Sequence, residues 1–164
     1  MRKIMIVDDN YLSAEGIEKN IDWEVLNAEI VHICYNGTSA IDAMKKEPVD
    51  LIISDIEMPD LDGISMSRQA LDINPMVKII LISAYDKFEY ARRALLLGAL
   101  DYIEKPLDYA YLIQKVKNAF ALMEREQKNL QLLKQSRPLL IEKFFRDITC
   151  LLYTSPSPRD STSS

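Results

Sequence analysis

One stretch constrains the fold more than any other: residues 51–63, LIISDIEMPDLDG, in which a short apolar run ends in an acidic residue. The run of leucine and isoleucine predicts a strand that is buried on both faces. Asp55 stands where this strand leaves the core, and Pro59 and Gly63 require a turn before the next helix. A carboxylate at the carboxyl end of a central parallel strand lies where open α/β sheets place their functional sites. For Asp55 taken alone, an aspartate that caps a loop is the alternative.

Strands and helices alternate along the rest of the chain. Five strands are predicted, at Lys3–Val7, Glu29–Tyr35, Leu51–Ser54, Lys78–Ile82 and Leu100–Ile103. Helices are predicted at Asn10–Asn20, Thr38–Lys46, Ile64–Ile73 and Phe88–Leu97, and a long final helix is capped by Asp108. This alternation predicts an α/β fold with a five-stranded parallel sheet and helices on both faces. Right-handed crossovers favour the strand order 2-1-3-4-5.

Composition and charge narrow the class of protein. The net charge of −5 argues against nucleic-acid binding by this chain itself, because phosphate contacts need basic residues. A single histidine disfavours a histidine-rich metal site or a histidine-based triad. The two cysteines, Cys34 and Cys150, form no CxxC motif, which suits a reducing compartment. With neither a signal peptide nor an apolar run long enough to span a bilayer, we expect a cytoplasmic protein without a membrane partner.

The predicted sheet gathers five functional groups at one rim. Asp8, Asp9, Asp55, Ser83 and Lys105 all lie at or just past the carboxyl ends of strands. Three carboxylates at close quarters cannot all stay ionised unless positive charge joins them. Lys105 supplies one charge, and Mg²⁺ suits the remainder because it binds few carboxylates, keeps waters and accepts phosphate oxygens. For single residues, a solvated loop start at Asp8-Asp9 and a surface lysine at 105 are the alternatives.

Such a set of groups suits phosphoryl chemistry. A carboxylate can attack phosphorus and form an aspartyl phosphate. Metal and lysine would neutralise the charge that develops on the phosphoryl oxygens, and the hydroxyl of Ser83 could hold one of them. Asp55 is the best candidate nucleophile because it lies on the central strand. Asp8 and Asp9, on the adjacent strand, are placed to hold the metal.

These residues resemble the CheY-like receiver domain of two-component response regulators. The resemblance covers residues 1 to about 122, and its motifs are DD at 8–9, D-x-x-M-P-x-x-x-G at 55–63, Ser83-Ala84 and Lys105-Pro106. It implies that Asp55 is the phosphoacceptor and that a sensor histidine kinase is the phosphate donor. It also implies the Mg²⁺ ligands, which are Asp9 and Asp55 directly, Asp8 through water and Glu57 through its backbone carbonyl.

The same resemblance assigns roles to residues on the last two strands. Lys105 and Ser83 would stabilise the phosphoryl group, Ser83 and Tyr102 would form the switch pair, and the peptide bond between Lys105 and Pro106 would be cis. From the sequence alone, a half-buried strand aromatic is the preferred interpretation of Tyr102. We expect no enzyme in the usual sense, because such a domain promotes only its own phosphorylation and dephosphorylation.

Three further stretches resemble one group of regulators more closely. IDWEVLNAEI at 21–30, SAYDKFEYARRAL at 83–95 and GALDYIEKPLD at 98–108 are similar to the YesN-type regulators, whose output half is an AraC-type helix-turn-helix domain. The resemblance implies a DNA-binding transcriptional regulator. This chain contains no such output domain, so we expect DNA binding only through a missing one.

The chain past residue 122 is predicted to differ from the receiver. Residues 123–149 are expected to form a connector helix and the start of a missing output region, and the final helix or the connector could support a homodimer. Pro138 could open a short helix with one apolar face, formed by Ile141, Phe144, Phe145 and Ile148. Residues 150–164 are predicted to be a disordered tail, and they resemble a translated sequencing adapter, which indicates an artefact that is not part of the fold.

Two other functions remain open at this point. A single-domain receiver that signals by protein contact is the main alternative, and the extended helix and YesN-like stretches count against it. A phosphohydrolase of the haloacid-dehalogenase type also uses an aspartyl nucleophile. Enzymes of that type carry D-x-D after the first strand, whereas Asp8 is followed by Asp9-Asn10, and this mismatch argues against the phosphohydrolase.

Overall fold

Five strands and five helices alternate along the chain in the computed structural model, which describes residues 1–84, 88–135 and 146. The strands are β1 Arg2–Val7, β2 Ala28–Cys34, β3 Leu51–Asp55, β4 Lys78–Ser83 and β5 Asp101–Glu104. The helices are α1 Tyr11–Asn20, α2 Gly37–Lys46, α3 Gly63–Ile73, α4 Phe88–Leu97 and α5 Tyr109–Gln135.

The strands form one parallel sheet in the order β2-β1-β3-β4-β5, which confirms the predicted α/β fold and its strand order. The register aligns the carboxyl ends of the middle strands. Val7 of β1 pairs with Ser54 of β3, and Asp55 of β3 pairs with Ile82 of β4. The sheet therefore brings the residues that follow β1, β3 and β4 to one rim.

Burial explains why β3 is an uninterrupted apolar run up to its last two residues. All of its residues are buried, as expected for the middle strand of a sheet that is covered on both faces. On one face, the side chains of Met5, Ile52 and Leu81 belong to a cluster that includes buried residues of α2, α3 and α4. Their neighbours along the strands point to the opposite face. Each fully buried Ile or Leu contributes about 1.5 to 3 kcal/mol to the stability of the fold.

Local side-chain caps set where the helices begin. The Asn10 side chain accepts from the amides of Leu12 and Ser13 at 2.9 and 3.3 Å, so Asn10 caps α1. Asp108 accepts from the Ala110 amide at 2.9 Å and caps α5 as predicted. Such caps satisfy amide groups that have no partner within the helix.

The ends of some elements differ by one residue from the prediction. α3 begins at Gly63 rather than at Ile64, because the Asp62 side chain caps it by accepting from the Ser65 amide at 2.8 Å. β5 begins at Asp101 rather than at Leu100, because its pairing with β4 starts where Asp101 aligns with Ile80.

The chain divides into two compact units, Met1–Phe120 and a second that begins at Ala121. Of the second unit, the structure describes the remainder of α5 and Arg146. The predicted short helix after Pro138 and the adapter-like tail at 150–164 lie outside the described residues, except for Arg146. Among the described helices, none has the length and apolar character that crossing a membrane requires.

Candidate functional site

Three aspartates meet at the rim where β1 and β3 end. Asp8 and Asp9 follow β1 directly, and Asp55 is the last residue of β3. Each offers a carboxylate oxygen, and these oxygens lie within 4.8 Å of one another. Asp8 and Asp55 are 3% and 6% exposed, whereas Asp9 is exposed. The site therefore has two buried carboxylates and one that faces solvent.

Lys105 brings a positive charge to the two buried carboxylates. Its Nζ lies 3.2 Å from Oδ2 of Asp55 and 3.6 Å from Oδ2 of Asp8. The Lys105 amide donates to the backbone oxygen of Ser83 at 2.8 Å, which ties the loop after β5 to the end of β4. The peptide bond between Lys105 and Pro106 is cis.

Backbone amides orient both buried carboxylates. The Asn10 amide donates to Oδ1 of Asp8 at 2.9 Å, and the Glu57 amide donates to Oδ1 of Asp55 at 3.3 Å. In each carboxylate, Oδ1 therefore binds an amide while Oδ2 faces Lys105. This arrangement fixes which oxygens point toward the centre of the site.

One side-chain contact at the rim was not predicted. Ser83 is buried at the end of β4, and its hydroxyl makes a short hydrogen bond to a carboxylate oxygen of Glu57. The family resemblance implies a role only for the backbone carbonyl of Glu57. The only signal in the sequence is that this acidic residue stands two positions after Asp55.

Comparison with known protein families identifies the family of this chain. Residues 4–117 match the family described as "Response regulator receiver domain". The chain belongs to this family. Receiver domains of this kind work in two-component systems, where they interact with histidine kinases and phosphotransfer partners.

Two curated relatives of this receiver are described as transcriptional regulators. It is 29% identical over 126 residues to the uncharacterized transcriptional regulatory protein YesN of Bacillus subtilis, a match that covers 77% of this chain and 34% of YesN. It is 32% identical over 114 residues to the transcriptional regulatory protein HptR of Staphylococcus aureus, covering 68% of this chain and 44% of HptR. The chain thus spans between a third and a half of the length of these relatives.

The fold has a close counterpart among solved structures. The receiver domain of AraT, a response regulator from Geobacillus stearothermophilus, has 34% sequence identity and a TM-score of 0.72, and the match covers 77% of this chain and 98% of that one. This likeness supports both the family and the fold. The predicted AraC-type output domain stays a prediction.

Burial sets the protonation behaviour of the receiver's acidic site. It raises the pKa of Asp55 to about 6, Asp8 adds to this rise, and Lys105 opposes it. Burial also raises the pKa of Asp8. For Lys105, burial works against the charged form, but the carboxylates of Asp55 and Asp8 outweigh it and raise its pKa. Lys105 therefore stays charged while the buried carboxylates resist full ionisation.

The donor set of this acidic site fits Mg²⁺. Receiver domains bind Mg²⁺ in an acidic pocket, and the cluster of Asp8, Asp9 and Asp55 offers the carboxylate oxygens that this ion prefers. Lys105 offsets only one of the three negative charges. A divalent cation would relieve the remaining repulsion and favour the ionised form of Asp55.

Tyr102 is a half-buried aromatic residue on β5, as predicted from the sequence. It packs against the core cluster. In the register of the sheet it aligns with Leu81, two residues before Ser83. Tyr102 and Ser83 therefore lie on the same face of the sheet. Their role as a switch pair stays a prediction.

Proposed function

We propose that this receiver takes a phosphoryl group from a phosphohistidine of a sensor histidine kinase onto Asp55. The observation that carries the proposal is the placement of the Asp55 carboxylate, which is buried at a strand end and lies 3.2 Å from the Lys105 ammonium. Asp8 and Asp9 stand beside it. A buried nucleophile with a fixed cation next to it is suited to a reaction in which charge develops on phosphoryl oxygens.

The proposed transfer uses the side chains of Asp55, Lys105 and Ser83. An oxygen of ionised Asp55 forms a bond to phosphorus while the bond from phosphorus to the histidine nitrogen breaks, and the electron pair leaves with the imidazole. The Lys105 ammonium is placed to donate to a phosphoryl oxygen. The Ser83 hydroxyl, which now donates to the Glu57 carboxylate, would also donate to a phosphoryl oxygen once that bond is broken.

Mg²⁺ would be held by Asp9 and Asp55 directly, by Asp8 through water and by the backbone carbonyl of Glu57. When bound, the ion neutralises charge on phosphoryl oxygens. The same site would support dephosphorylation, because attack of water on phosphorus breaks the bond to the Asp55 oxygen, returns the carboxylate and releases inorganic phosphate. On this proposal the protein is no enzyme for an external substrate, since it changes only its own phosphorylation.

Labelling with a small phosphodonor tests the acceptor assignment. The protein is incubated with acetyl phosphate and Mg²⁺, and the added mass is located after proteolysis. We expect the label on the peptide that contains Asp55, and none in Asp55→Asn. Asp72→Asn, which changes an exposed aspartate on α3, is the matched control and should label normally. Undiminished labelling of Asp55→Asn would refute the assignment.

We also propose that this receiver is the input half of a DNA-binding transcriptional regulator of the cytoplasm. Support comes from the descriptions of YesN and HptR as transcriptional regulatory proteins, of which the chain covers 34% and 44%. The final helix α5 or the connector would then serve a homodimer. A single-domain receiver that signals by protein contact is the second candidate.

Reading the source locus decides between these two candidates. The gene is amplified from source DNA and sequenced past codon 149. We expect an open reading frame that continues into a helix-turn-helix domain instead of encoding CLLYTSPSPRD. Finding that string encoded at the locus, followed by a stop codon, would favour the single-domain receiver.

A further inference from the structure

The loop between β3 and α3, residues 56–62, carries Glu57 and is held at both ends. One hydrogen bond joins its two ends: the Gly63 amide donates to the backbone oxygen of Ile56 at 2.8 Å. Asp62 caps α3 by accepting from the Ser65 amide at 2.8 Å. These contacts close the loop on itself. Its first half is also tied to the receiver, because Glu57 bonds to Asp55 and Ser83 and the buried Met58 belongs to the core cluster.

Asp60 ties the second half of the loop to α2, because its side chain reaches the start of that helix. Its Oδ1 accepts from the Gly37 amide at 3.2 Å, and its Oδ2 accepts from the Thr38 amide at 3.1 Å. α2 already has a local cap, since Asn36 accepts from the Ser39 amide at 2.7 Å. Asp60 is thus an additional acceptor for this helix, 22 and 23 residues away from its two donors.

The backbones of the loop and α2 also lie in direct contact. A Cβ atom at residue 37 would overlap the backbone oxygen of Leu61 and would lie 2.7 Å from the Leu61 Cβ. Only glycine leaves room for this approach. Both the side chain of Asp60 and the backbone beside it therefore hold the loop against Gly37.

Asp60 stays ionised over the pH range in which a metal would bind. The Thr38 side chain and the amides of Thr38, Leu61 and Gly37 lower the pKa of Asp60 to about 2. The carboxylate therefore remains an acceptor for both α2 amides at neutral pH, and the positive end of the helix dipole favours it there.

We infer that Asp60 is a positioning residue, which holds the β3–α3 loop on α2 so that the backbone carbonyl of Glu57 is in place for Mg²⁺. This inference rests on the proposed function, because Glu57 matters here only as a metal ligand. Asp55 itself is held by pairing with β4, where it aligns with Ile82. The loss of Asp60 is therefore expected to act on metal affinity and to leave the acceptor in place.

Residues that orient a metal ligand change affinity by about 10- to 100-fold when removed. Glu57 would be one of several ligands, so we expect Mg²⁺ binding in Asp60→Ala to weaken by about tenfold. The rate of labelling by acetyl phosphate should recover toward the wild-type value when Mg²⁺ is raised by the same factor. A variant with a damaged acceptor would stay slow at all Mg²⁺ concentrations.

Asn36→Ala is the matched control, because it removes a cap from the same helix without touching the loop. Mg²⁺ affinity is measured by calorimetric titration of the full chain. Hydrogen exchange of the Glu57 and Gly63 amides is followed in the metal-free protein. Both variants should unfold at lower urea concentration than wild type. Only Asp60→Ala should bind Mg²⁺ about tenfold more weakly and exchange the two loop amides faster.

Two outcomes separate this inference from the function on which it rests. If Asp60→Ala matches Asn36→Ala in Mg²⁺ affinity and loop exchange, the positioning role is wrong. If Asp9→Asn keeps wild-type Mg²⁺ affinity, the proposed metal site itself is wrong. Asp60→Asn keeps one acceptor oxygen and should give an intermediate loss. It replaces Asp60→Ala in the comparison if that variant does not fold.

Discussion

Gly63 lies directly against Asp55: a Cβ atom at residue 63 would overlap the backbone oxygen of Asp55 and would stand 3.0 Å from its carbonyl carbon. The first residue of α3 therefore contacts the main chain of Asp55, the proposed phosphoacceptor. A glycine in this place is a packing requirement of the site, because the neighbouring atoms belong to backbone and cannot rotate away.

Gly63→Ala is expected to destabilise the receiver even though alanine is the better helix former. The free energy of unfolding should fall by about 1 to 3 kcal/mol, the usual cost of forcing extra volume into a packed region. Urea unfolding of the metal-free protein measures this change.

Gly16→Ala in α1 is the control for that substitution. Of the atoms near its added Cβ, the one that would overlap is the hydroxyl oxygen of the Tyr109 side chain, which can move aside. Because alanine is favoured over glycine within helices, this variant should be neutral or more stable by up to about 1 kcal/mol. Equal losses in both variants would contradict the packing argument.

Asp55→Asn should make the metal-free receiver more stable at neutral pH. The pKa of Asp55 is raised to about 6 from 3.8, so the folded chain keeps a proton between about pH 4 and pH 6 that the unfolded chain has released. Stability from this group therefore falls as the pH rises through that window. Two units of pKa correspond to at most about 3 kcal/mol, and we expect a gain of about 1 to 2 kcal/mol at pH 7.5.

Urea unfolding at several pH values, in buffer with a chelator, checks this expectation. The advantage of Asp55→Asn should shrink as the pH falls toward 4. Asp60→Asn is the opposite case, because the pKa of Asp60 is lowered to about 2 and its ionised form supports folding above pH 4. It should lower stability at pH 7.5. An Asp55→Asn protein that is less stable than wild type at that pH would refute the argument.

Mg²⁺ binding is expected to weaken as the pH falls through about 6. The ion needs ionised carboxylates, and Asp55 takes up a proton in that range. Titrations at pH 7.5 and pH 5.5 should give affinities that differ by about threefold to tenfold, with protons released on binding. Affinity that does not change with pH would mean that Asp55 is not a ligand.

The parts of this site that were predicted from sequence share a physical origin. Parallel strands end at one edge, so Asp8, Asp55 and Lys105 could be placed together once the strands were recognised. Apolar runs and turn residues mark strands strongly. The ends of β5 and α3 were shifted by one residue because pairing and capping decide them, and neither leaves a periodic signal.

Side-chain contacts between segments that are distant in the chain could not be predicted from the sequence. The bond from Ser83 to Glu57 joins residues 26 positions apart, and the bonds from Asp60 to the α2 amides span 22 and 23 positions. Neither follows from hydrophobic pattern or local propensity. Both depend on how the loop after β3 packs, which only the three-dimensional structure supplies.

Lys105→Ala is expected to accept phosphate but to lose the conformational response. In the structure Lys105 links Asp55 and Asp8 to the loop between β5 and α5. A phosphoryl group on Asp55 would give its ammonium a new oxygen partner and draw that loop inward, which would bias the surface formed by α4 and α5. Without the lysine, labelling should be slower yet complete. Hydrogen exchange on α4 and α5 should stay as in the unphosphorylated protein.

Lys115→Ala is the matched control for this last prediction. Lys115 also stands on the β5–α5 side of the receiver, where its Nζ pairs with Asp101 at 3.0 Å. Among the described residues, the lysine that pairs with Asp8 and Asp55 is Lys105. This variant should label at the wild-type rate and keep the exchange response. Phosphorylated Lys105→Ala that still changes exchange on α4 and α5 would show that the signal leaves Asp55 by another route, with the Ser83 hydroxyl at the end of β4 as the next residue to test.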